Sequence, residues 1–406
     1  MAVKITRQPN LIALIGAPTS AGAHAPGHEK APATLRAAGL VEQLNAAGFT
    51  VNDLGDVETQ VFQQDDESPR ARNLDGIVRE LNALRPKVEE AAKSGALPLV
   101  LGGDCTIALA TIAAVRRYYR HVGLMYMDRH ADLNVPATTP SGRLAGMVVA
   151  HIVGRGAPEL VRFWNEPPLV REPDVALFGC VDYDTYERDL LRTSPIRHYS
   201  ADDILTHGVT RTAQSAIAHI HSDVRNFVLH VDADVISGED FSASEFTGPG
   251  GLRLADVREA LQLFAQQKNL LAVELTAYNP DRDTDGAAAK MLVELIVSAL
   301  SARLAALTAP RAAEAVPAAA AAPEAPAPAA VPEPPAEKTP VESSSAASEA
   351  PAAASPAGES PAVAESPAVV AGAPESSATE TPAPAEDAHP ESDAAKLVPD
   401  DGSNPS

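Results

Sequence analysis

Short apolar runs alternate with helix-like patterns through the first 308 residues of the chain. The runs cover 11–15, 98–101, 124–127, 175–178, 227–229 and 270–273. Most are continuous rather than alternating, which is typical of strands buried on both faces of a parallel sheet. Helices are predicted between them at 33–46, 75–94, 107–117, 210–221, 255–266 and 287–305. This alternation predicts an α/β fold of three layers, αβα, around a mostly parallel sheet.

The pattern ends near residue 308, and residues 309–406 have a different composition. They contain 16 acidic and 3 basic side chains, 19 of the 35 prolines and no aromatic residue. Such a segment cannot bury enough apolar surface to offset the entropy cost of ordering it. We therefore predict one folded domain over 1–308 and a disordered Ala/Pro/Glu/Ser-rich tail over 309–406, for which the residues select no partner.

Charge and cysteine content narrow the class of protein. The formal net charge of −22 argues against a nucleic-acid-binding surface. The two cysteines, Cys105 and Cys180, exclude a disulfide scaffold and fit a reducing compartment. The apolar run 11–15 is too short for a signal-peptide core or a membrane span. We expect a cytoplasmic protein with neither nucleic acid nor a membrane as its partner.

Potential metal ligands follow three of the predicted strands. In chain order they are Asp104 and Cys105 after Gly102-Gly103, then Asp128, His130 and Asp132, then His230, Asp232 and Asp234. Side chains two residues apart on an extended chain point the same way, and parallel sheets bind ligands at the carboxyl ends of their strands. Four carboxylates so close together could not all stay ionised without cations. Carboxylates with one or two histidines suit Mn²⁺ or a similarly hard ion.

The order and spacing of these motifs resemble the ureohydrolase superfamily, the arginases and agmatinases, and the arginases in particular. The family pattern is Gly-Gly-Asp-His, then Asp-Ala-His-x-Asp, then Ser-x-Asp-x-Asp. Further agreement comes from 16–18, 31–36, 134–144, 182–187, and Glu274 with the Asn279-Pro280 that follows it. The resemblance spans 11–305 and implies an arginase-like metallohydrolase domain over 1–308 that uses two divalent ions, most often Mn²⁺.

The resemblance also implies a role for each matching residue. The expected metal ligands are Cys105, Asp128, His130, Asp132, Asp232 and Asp234, with Asp104 and His230 next to them. Asp132 and Glu274 are expected to be catalytic, Glu274 by accepting hydrogen bonds from the substrate guanidinium. Asn134 and Ser141 match positions that contact the substrate carboxylate, and Asp184 and Glu187 match positions near its amino group.

The implied reaction is hydrolysis of a guanidino group to urea or a substituted urea. The implied substrate is a small guanidino amino acid, arginine or a relative such as N-hydroxyarginine. The family resemblance leaves a homo-oligomer open.

Two substitutions separate the chain from the family pattern. Cys105 stands where the family has a histidine ligand. Because its thiolate is a softer ligand, nickel, zinc, iron and cobalt are further candidates for the metal. Ala145 stands where arginases keep a proton-shuttling histidine, and acid–base catalysis is typically worth roughly 10²–10⁴-fold. His24 and His28, in a Gly/Pro-rich loop and expected to be solvated, are the nearest replacements. The alternative function is therefore a catalytically weak or inactive metal-binding pseudoenzyme, or an interaction protein of the same family.

Positions 105 and 230 show an apparent exchange of residue types. The family has His at the end of the first motif and Ser at the start of the third, whereas this chain has Cys105 and His230. Because 230, 232 and 234 share a strand face, His230 is predicted to contact Cys105, either by a hydrogen bond to its sulfur or by approaching the metal. Arg129 is expected to point away from the metals, and Cys180 to pack in the core.

Overall fold

Eight parallel strands form one sheet in the computed structural model, which describes residues 5–164 and 166–309. The strands are β1 (Leu11–Ala17), β2 (Thr50–Asp56), β3 (Leu97–Gly102), β4 (Gly123–Met127), β5 (Val175–Cys180), β6 (Arg197–Ser200), β7 (Phe227–Asp232) and β8 (Leu270–Thr276). Their order across the sheet is β2-β1-β3-β8-β7-β4-β5-β6. The predicted parallel α/β fold is confirmed. The tail predicted for 309–406 lies, after its first residue, outside the described residues.

Helices cover both faces of this sheet, which completes the predicted three layers. In the described ranges they are α1 (Ala31–Ala37), α2 (Leu40–Ala46), α3 (Leu74–Lys93), α4 (Ala108–Arg116), α5 (Val148–Ile152), α6 (Pro158–Val161), α7 (Thr185–Leu191), α8 (Ala201–His207), α9 (Val209–Asp223), α10 (Leu254–Ala265) and α11 (Ala287–Thr308). Helices α1, α2 and α8–α11 share one core with one face of the sheet, and α3–α7 share another with the opposite face. Crossover helices leave a parallel sheet buried on both sides.

The edge strands and the short helices were not predicted from the sequence pattern. β2 and β6 lie at the edges of the sheet, and most of their residues are exposed or half-buried, so neither has a continuous apolar run. The helix predicted at 33–46 is two helices, because Gly39 adopts a left-handed φ of 88° between α1 and α2. Helices α5–α8 have four to seven residues, which is too short for a periodic signal.

The last helix, α11, is long and apolar enough to cross a membrane by length and composition alone. Its apolar side chains are used inside the domain, because Leu292, Leu295 and Leu300 are buried in the core shared with α10 and the sheet. Arg303, buried on the same helix, donates a hydrogen bond to the carbonyl of Ala265 at the end of α10. These contacts identify α11 as a core helix of this domain.

Strand register determines which side chains meet in the centre of the sheet. Tyr126, His230 and Glu274 occupy one row across the neighbouring strands β4, β7 and β8. β3 pairs with the other side of β8, and Cys105 follows the carboxyl end of β3. The polar motifs of the sequence therefore lie at the ends of four adjacent central strands.

Candidate metal centre

The carboxyl ends of β3, β4 and β7 bring most of the predicted ligands into two groups. The deep group is Cys105, Asp128, His230 and Asp232, and the outer group is Asp128, His130 and Asp234. Within each group the potential ligand atoms all lie within 4.8 Å of one another, and Asp128 belongs to both. Members of both groups line a cavity of about 360 Å³, which is the size of a small-molecule site.

The deep group is buried and combines sulfur, nitrogen and oxygen atoms. Cys105 Sγ donates a hydrogen bond to Asp232 Oδ2 at 2.9 Å and lies 3.6 Å from Thr276 Oγ1. Thr276 Oγ1 in turn lies 3.2 Å from His230 Nε2. The His230 ring and the Cys105 sulfur therefore face the same space, with Thr276 as their shared hydrogen-bonding neighbour instead of a direct hydrogen bond.

The outer group is more open. His130 Nδ1 lies 3.3 Å from both Asp128 Oδ1 and Asp234 Oδ2, and its side chain is 26% exposed. The Phe246 ring packs edge-on against the imidazole, with 5.5 Å between the ring centroids. Burial opposes protonation of His130, but Asp234 and Asp128 raise its pKa well above the usual value. An imidazole between two carboxylates is a donor set that divalent ions accept.

Buried groups of like charge resist ionisation in this centre. Burial raises the pKa of Asp128 to about 8, and Asp132 and Asp234 add to the effect. Burial, followed by Asp234 and Asp128, also raises the pKa of Asp232 well above its usual range. Burial likewise raises the pKa of the Cys105 thiol. Cations would take the place of these protons, so the residues present fit divalent ions.

Asp132 lies beside the two groups and in neither of them. Its carboxylate accepts a hydrogen bond from Tyr126 Oη at 2.5 Å, and burial raises its pKa to about 7. The residue lines the same cavity as the ligand groups. The roles expected of Asp132, as a metal ligand and as a catalytic residue, remain predictions. The hydrogen bond from Tyr126 fixes the position of the carboxylate on which both roles depend.

Glu274 does not lie where the sequence prediction put it. Its side chain is fully buried, and Oε2 lies 2.8 Å from His230 Nδ1. β8 continues to Thr276, so its register places Glu274 in the row of His230 rather than at the strand end. The residue that reaches the cavity is Ala277, whose methyl group cannot accept a hydrogen bond from a guanidinium. The assignment of Glu274 to the substrate guanidinium is therefore wrong.

Asp104 supports the turn that presents Cys105. Its carboxylate accepts hydrogen bonds from the Thr106 backbone N–H at 3.0 Å and from Thr106 Oγ1 at 2.5 Å. A Cβ atom at Gly103 would lie 1.6 Å from the carbonyl oxygen of Thr19, so only glycine fits at this strand end. The predicted position of Asp104, next to the ligands, is thus that of a cap on the ligand turn.

The residues expected to bind the substrate head group line the same cavity. Asn134 Nδ2 donates a hydrogen bond to Asp184 Oδ2 at 2.6 Å. Ser141 Oγ accepts one from Arg143 Nε at 3.2 Å, and the Arg143 guanidinium lies 4.2 Å from the Phe246 ring centroid. Arg143 and Phe246 were missed by the sequence analysis. A cation two residues after Ser141 was the available signal for Arg143, whereas Phe246 belongs to no matched motif.

Glu187 supports this wall of the cavity by accepting hydrogen bonds from backbone N–H groups. Its Oε1 accepts a hydrogen bond from the Leu133 N–H at 2.8 Å, and its Oε2 accepts one from the Asp184 N–H at 2.9 Å. Both carboxylate oxygens are therefore engaged in fixing the segments on either side. Glu187 is a positioning residue for Asp184 and for the chain after Asp132.

Two alanines and a histidine complete the cavity wall. Ala145 and Ala277 line it with methyl groups. His28 lines it with an imidazole that is 3% exposed, and neither ring nitrogen has a hydrogen-bond partner among the described residues. Burial lowers the pKa of His28, against the opposing charge of Glu245. The solvated state expected for His28 is therefore wrong, whereas His24 is exposed as expected.

Arg129 and Cys180 pack behind the ligand groups. The buried Arg129 guanidinium points away from the ligands, as expected, and donates to Asp182 Oδ2 at 2.6 Å and to the Pro249 carbonyl at 2.7 Å. Arg129 thereby joins the loops that follow β5 and β7. Cys180 is buried, and its Sγ donates to the His130 carbonyl at 3.2 Å, which is consistent with the packing role expected of it.

Comparison with known proteins agrees with this fold. The model of the arginase family matches residues 10–301. The chain belongs to the arginase family. Among its relatives, the arginase of Brevibacillus brevis is 30% identical over 293 residues, which cover 72% of this chain and 98% of that protein.

Solved arginase structures show the same relationship. The arginase from Bacillus cereus is 30% identical and gives a TM-score of 0.67, over 72% of this chain and 98% of that chain. The Entamoeba histolytica arginase, solved in complex with L-ornithine, is 25% identical and gives a TM-score of 0.67, over 73% of this chain and 99% of that one. This arginase-family protein therefore has the arginase fold, and Cys105 and Ala145 both line the cavity at its metal centre.

Proposed function

We propose that this arginase-family protein is a metal-dependent amidinohydrolase that converts the guanidino group of a small amino acid to urea or a substituted urea. The observation that carries the proposal is the pair of ligand groups that share Asp128 in one cavity. Cys105 and Asp232 would hold one divalent ion with Asp128, and His130 and Asp234 would hold a second. Such ions would lower the pKa of a bound water and stabilise the tetrahedral intermediate, and Mn²⁺ is the expected metal of the family.

The cavity wall suits an α-amino acid head group. Asn134, Ser141 and Arg143 offer an amide, a hydroxyl and a guanidinium, which together can bind a carboxylate. Asp184 offers a carboxylate for the α-ammonium group. Arginine and N-hydroxyarginine carry both groups, and the L-ornithine named with the Entamoeba histolytica arginase is an amino acid of this kind.

The reaction also needs a proton carrier. Water adds its oxygen to the guanidino carbon, the C–N bond breaks, and a proton must reach the departing nitrogen. Ala145 cannot carry it, whereas the His28 ring lines the cavity with both nitrogens unpartnered among the described residues. Because burial lowers the pKa of His28, its ring is neutral near pH 7 and can take a proton from water and deliver it.

The features of the cavity favour a substituted guanidine over arginine itself. With Ala277 at the end of β8, no carboxylate stands at that point to accept hydrogen bonds from a strongly basic guanidinium. Ala145 and Ala277 present only methyl groups to the cavity, which leave more room for the substrate than a histidine or a glutamate would. N-hydroxyarginine combines a less basic guanidino group with one additional oxygen, so it is the preferred substrate within the proposal.

A product assay tests the proposal. Urea and hydroxyurea release would be measured from arginine, N-hydroxyarginine, agmatine and 4-guanidinobutyrate, with Mn²⁺, Co²⁺, Ni²⁺ and Zn²⁺ each supplied. We expect turnover of the two amino acids and strong loss with agmatine, which lacks the carboxylate. Arg143→Met should raise KM with little effect on kcat. Absence of product from every compound, with metal bound, would contradict the proposal.

That last result would select the second candidate, a metal-binding pseudoenzyme or interaction protein. Ala145 and Ala277 favour it, because they replace a proton carrier and leave no guanidinium acceptor at the end of β8. The buried His28 and the intact outer group argue against it, because neither is needed for a surface that only binds a partner.

A further inference from the structure

The His230 ring is fixed by the row of side chains that crosses the sheet. The ring is fully buried and stacks on Tyr126, with 4.3 Å between centroids and 7° between planes. Glu274 Oε2 lies 2.8 Å from its Nδ1. Both neighbours are opposite His230 in the register of β4, β7 and β8, so the orientation of the ring follows from strand pairing.

Glu274 also determines which nitrogen of this imidazole carries the proton. A carboxylate at this distance accepts the Nδ1 proton, which leaves the Nε2 lone pair available. Nε2 lies on the Cys105 side, 3.2 Å from a Thr276 hydroxyl that is 3.6 Å from the sulfur. That hydroxyl can donate to the Val231 carbonyl, 3.3 Å away, and so leave Nε2 unprotonated and free. A histidine whose second nitrogen is bound by a carboxylate is the usual form of a metal-binding histidine.

A histidine that only fills space explains this arrangement less well. Glu274 Oε1 has no hydrogen-bond partner among the described residues, and the pair is completely buried. A buried carboxyl group with an unpartnered oxygen costs free energy unless a further partner or charge compensates it. A cation on Nε2 would supply that charge through the ring.

The spacing of the deep group is close to that of a four-ligand site. Its four ligand atoms lie within 4.8 Å of one another. Atoms bound about 2.0–2.3 Å from one ion lie roughly 3–4 Å apart, so small side-chain rotations suffice to close the site. The donors would be one sulfur, one imidazole nitrogen and two carboxylates.

We propose that His230 is a metal ligand, so that the deep group takes its histidine from β7 instead of from the end of β3, and that the resulting Cys105–Asp128–His230–Asp232 site prefers Zn²⁺ or Co²⁺ to Mn²⁺. Thiolate and imidazole ligands favour these softer ions, whereas carboxylate-rich sites suit manganese. The inference rests on the proposed function only in that it assumes divalent ions in this cavity.

Cobalt spectroscopy on the full-length, metal-free protein tests the inference without any activity. One equivalent of Co²⁺ should give a thiolate-to-cobalt charge-transfer band in the near ultraviolet and strong visible bands of a four-coordinate ion. Cys105→Ser should abolish the charge-transfer band. His230→Ser should raise the dissociation constant of the first Co²⁺ ion by about 10²-fold or more. Glu274→Gln should raise it by roughly 10–100-fold, the range for groups that orient a ligand. His151→Gln, which changes a buried histidine outside both groups, should leave the spectrum and affinity unchanged.

The double variant Cys105→His with His230→Ser restores the residue types of the family. It should lose the charge-transfer band and regain Mn²⁺ affinity relative to Zn²⁺ better than either single change. If a variant does not fold, X-ray absorption of the wild-type protein with one Co²⁺ decides, and it should show one sulfur and one imidazole on the same ion.

An unchanged cobalt affinity in folded His230→Ser, or an ion with sulfur and no imidazole, would overturn the assignment. These readouts do not depend on urea release. An inactive protein with the expected spectrum would refute the proposed function alone, and an active protein without it would refute the His230 assignment alone.

Discussion

The deep and outer ligand groups share Asp128 but differ in burial and in the elements they use. The deep group is buried throughout and lies at the carboxyl ends of β3, β4 and β7, whereas the outer group follows β4 and β7 alone, and its His130 is 26% exposed. Cys105 and His230, the two positions at which the sequence resemblance implies an exchange of residue types, both belong to the deep group. The deep group therefore combines sulfur, nitrogen and oxygen donors, whereas the outer group has nitrogen and oxygen donors alone.

Strand pairing explains how a side chain of β7 can belong to the deep group. A buried ligand lost from one strand end can be replaced only from a neighbouring strand that faces the same space. His230 fulfils this condition because Tyr126 and Glu274 hold its ring from β4 and β8. The outer group has its own histidine, His130, on the more exposed side of the cavity.

The largest effect is expected from Asp128→Asn, because Asp128 is the one ligand that both groups share. Bound metal should fall from two equivalents toward none, and hydrolysis should be lost. The melting temperature of the metal-free variant should rise near pH 8, because a neutral amide avoids the cost of burying a carboxylate and of placing it beside other acids. Metal analysis by mass spectrometry and thermal melts with a chelator measure both effects. Asp202→Asn, at an exposed carboxylate on α8, is the control, and two ions retained by Asp128→Asn would show that the groups are independent.

The next largest effect is expected from His28→Gln, which leaves both ligand groups intact. Turnover should fall by about 10²-fold or more with unchanged metal content, since the proton carrier is removed while the ions stay. His24→Gln is the matched control, because His24 lies in the same loop and is exposed. A decrease of equal size in the control would assign the effect to the loop instead of to the buried imidazole.

Ala145→His should raise turnover by a smaller factor, and more for arginine than for N-hydroxyarginine. The variant puts a proton carrier where the family keeps one, and the strongly basic substrate needs it most. The same change should partly rescue His28→Gln, because both side chains line one cavity. Initial rates of both substrates in the single and double variants measure this. No gain in either background, with metals bound, would favour the pseudoenzyme.

A smaller effect is expected from pH on the metal-free protein. The pKa of Asp128 is raised to about 8 and that of Asp132 to about 7, both by burial first, from a usual value of 3.8. The folded state therefore holds protons that the unfolded state releases. The stability that these protons contribute is fully present below about pH 4 and is lost as the pH rises through 7 and 8. The melting temperature should fall by several degrees between pH 5 and pH 8 with a chelator present. Metal-loaded protein should not show this fall, since ions replace the protons.

Sequence reasoning predicted the central sheet and most of the centre because both follow local patterns. Continuous apolar runs mark the buried strands, and alternate Asp and His residues at strand ends mark ligands on one face. The edge strands β2 and β6 lack such runs, since one side of each strand has no neighbour. Their positions depend on tertiary pairing, which the sequence pattern does not contain.

The two wrong assignments in the site have the same origin. Glu274 was assigned by its distance from Asn279-Pro280, but the register of β8 with β7 places it against His230. His28 was expected in solvent because glycine and proline surround it, but its ring is buried and lines the cavity. In both cases a contact distant in the chain decides the environment of the side chain.

The smallest effect is expected from deleting residues 310–406. This segment has no aromatic residue and contains 19 prolines, so we expect it to make no contacts in the hydrophobic core and none with either ligand group. The melting temperature, the cobalt spectrum and hydrolysis should all stay unchanged. A deletion of 296–406 is the control, because it also removes Ile296 and Leu300, which are buried in the core, and it should unfold the domain. A decrease of many degrees in the melting temperature on deleting 310–406 alone would show that the segment packs on the domain. A change in the cobalt spectrum alone would instead indicate that its acidic side chains reach the metal centre.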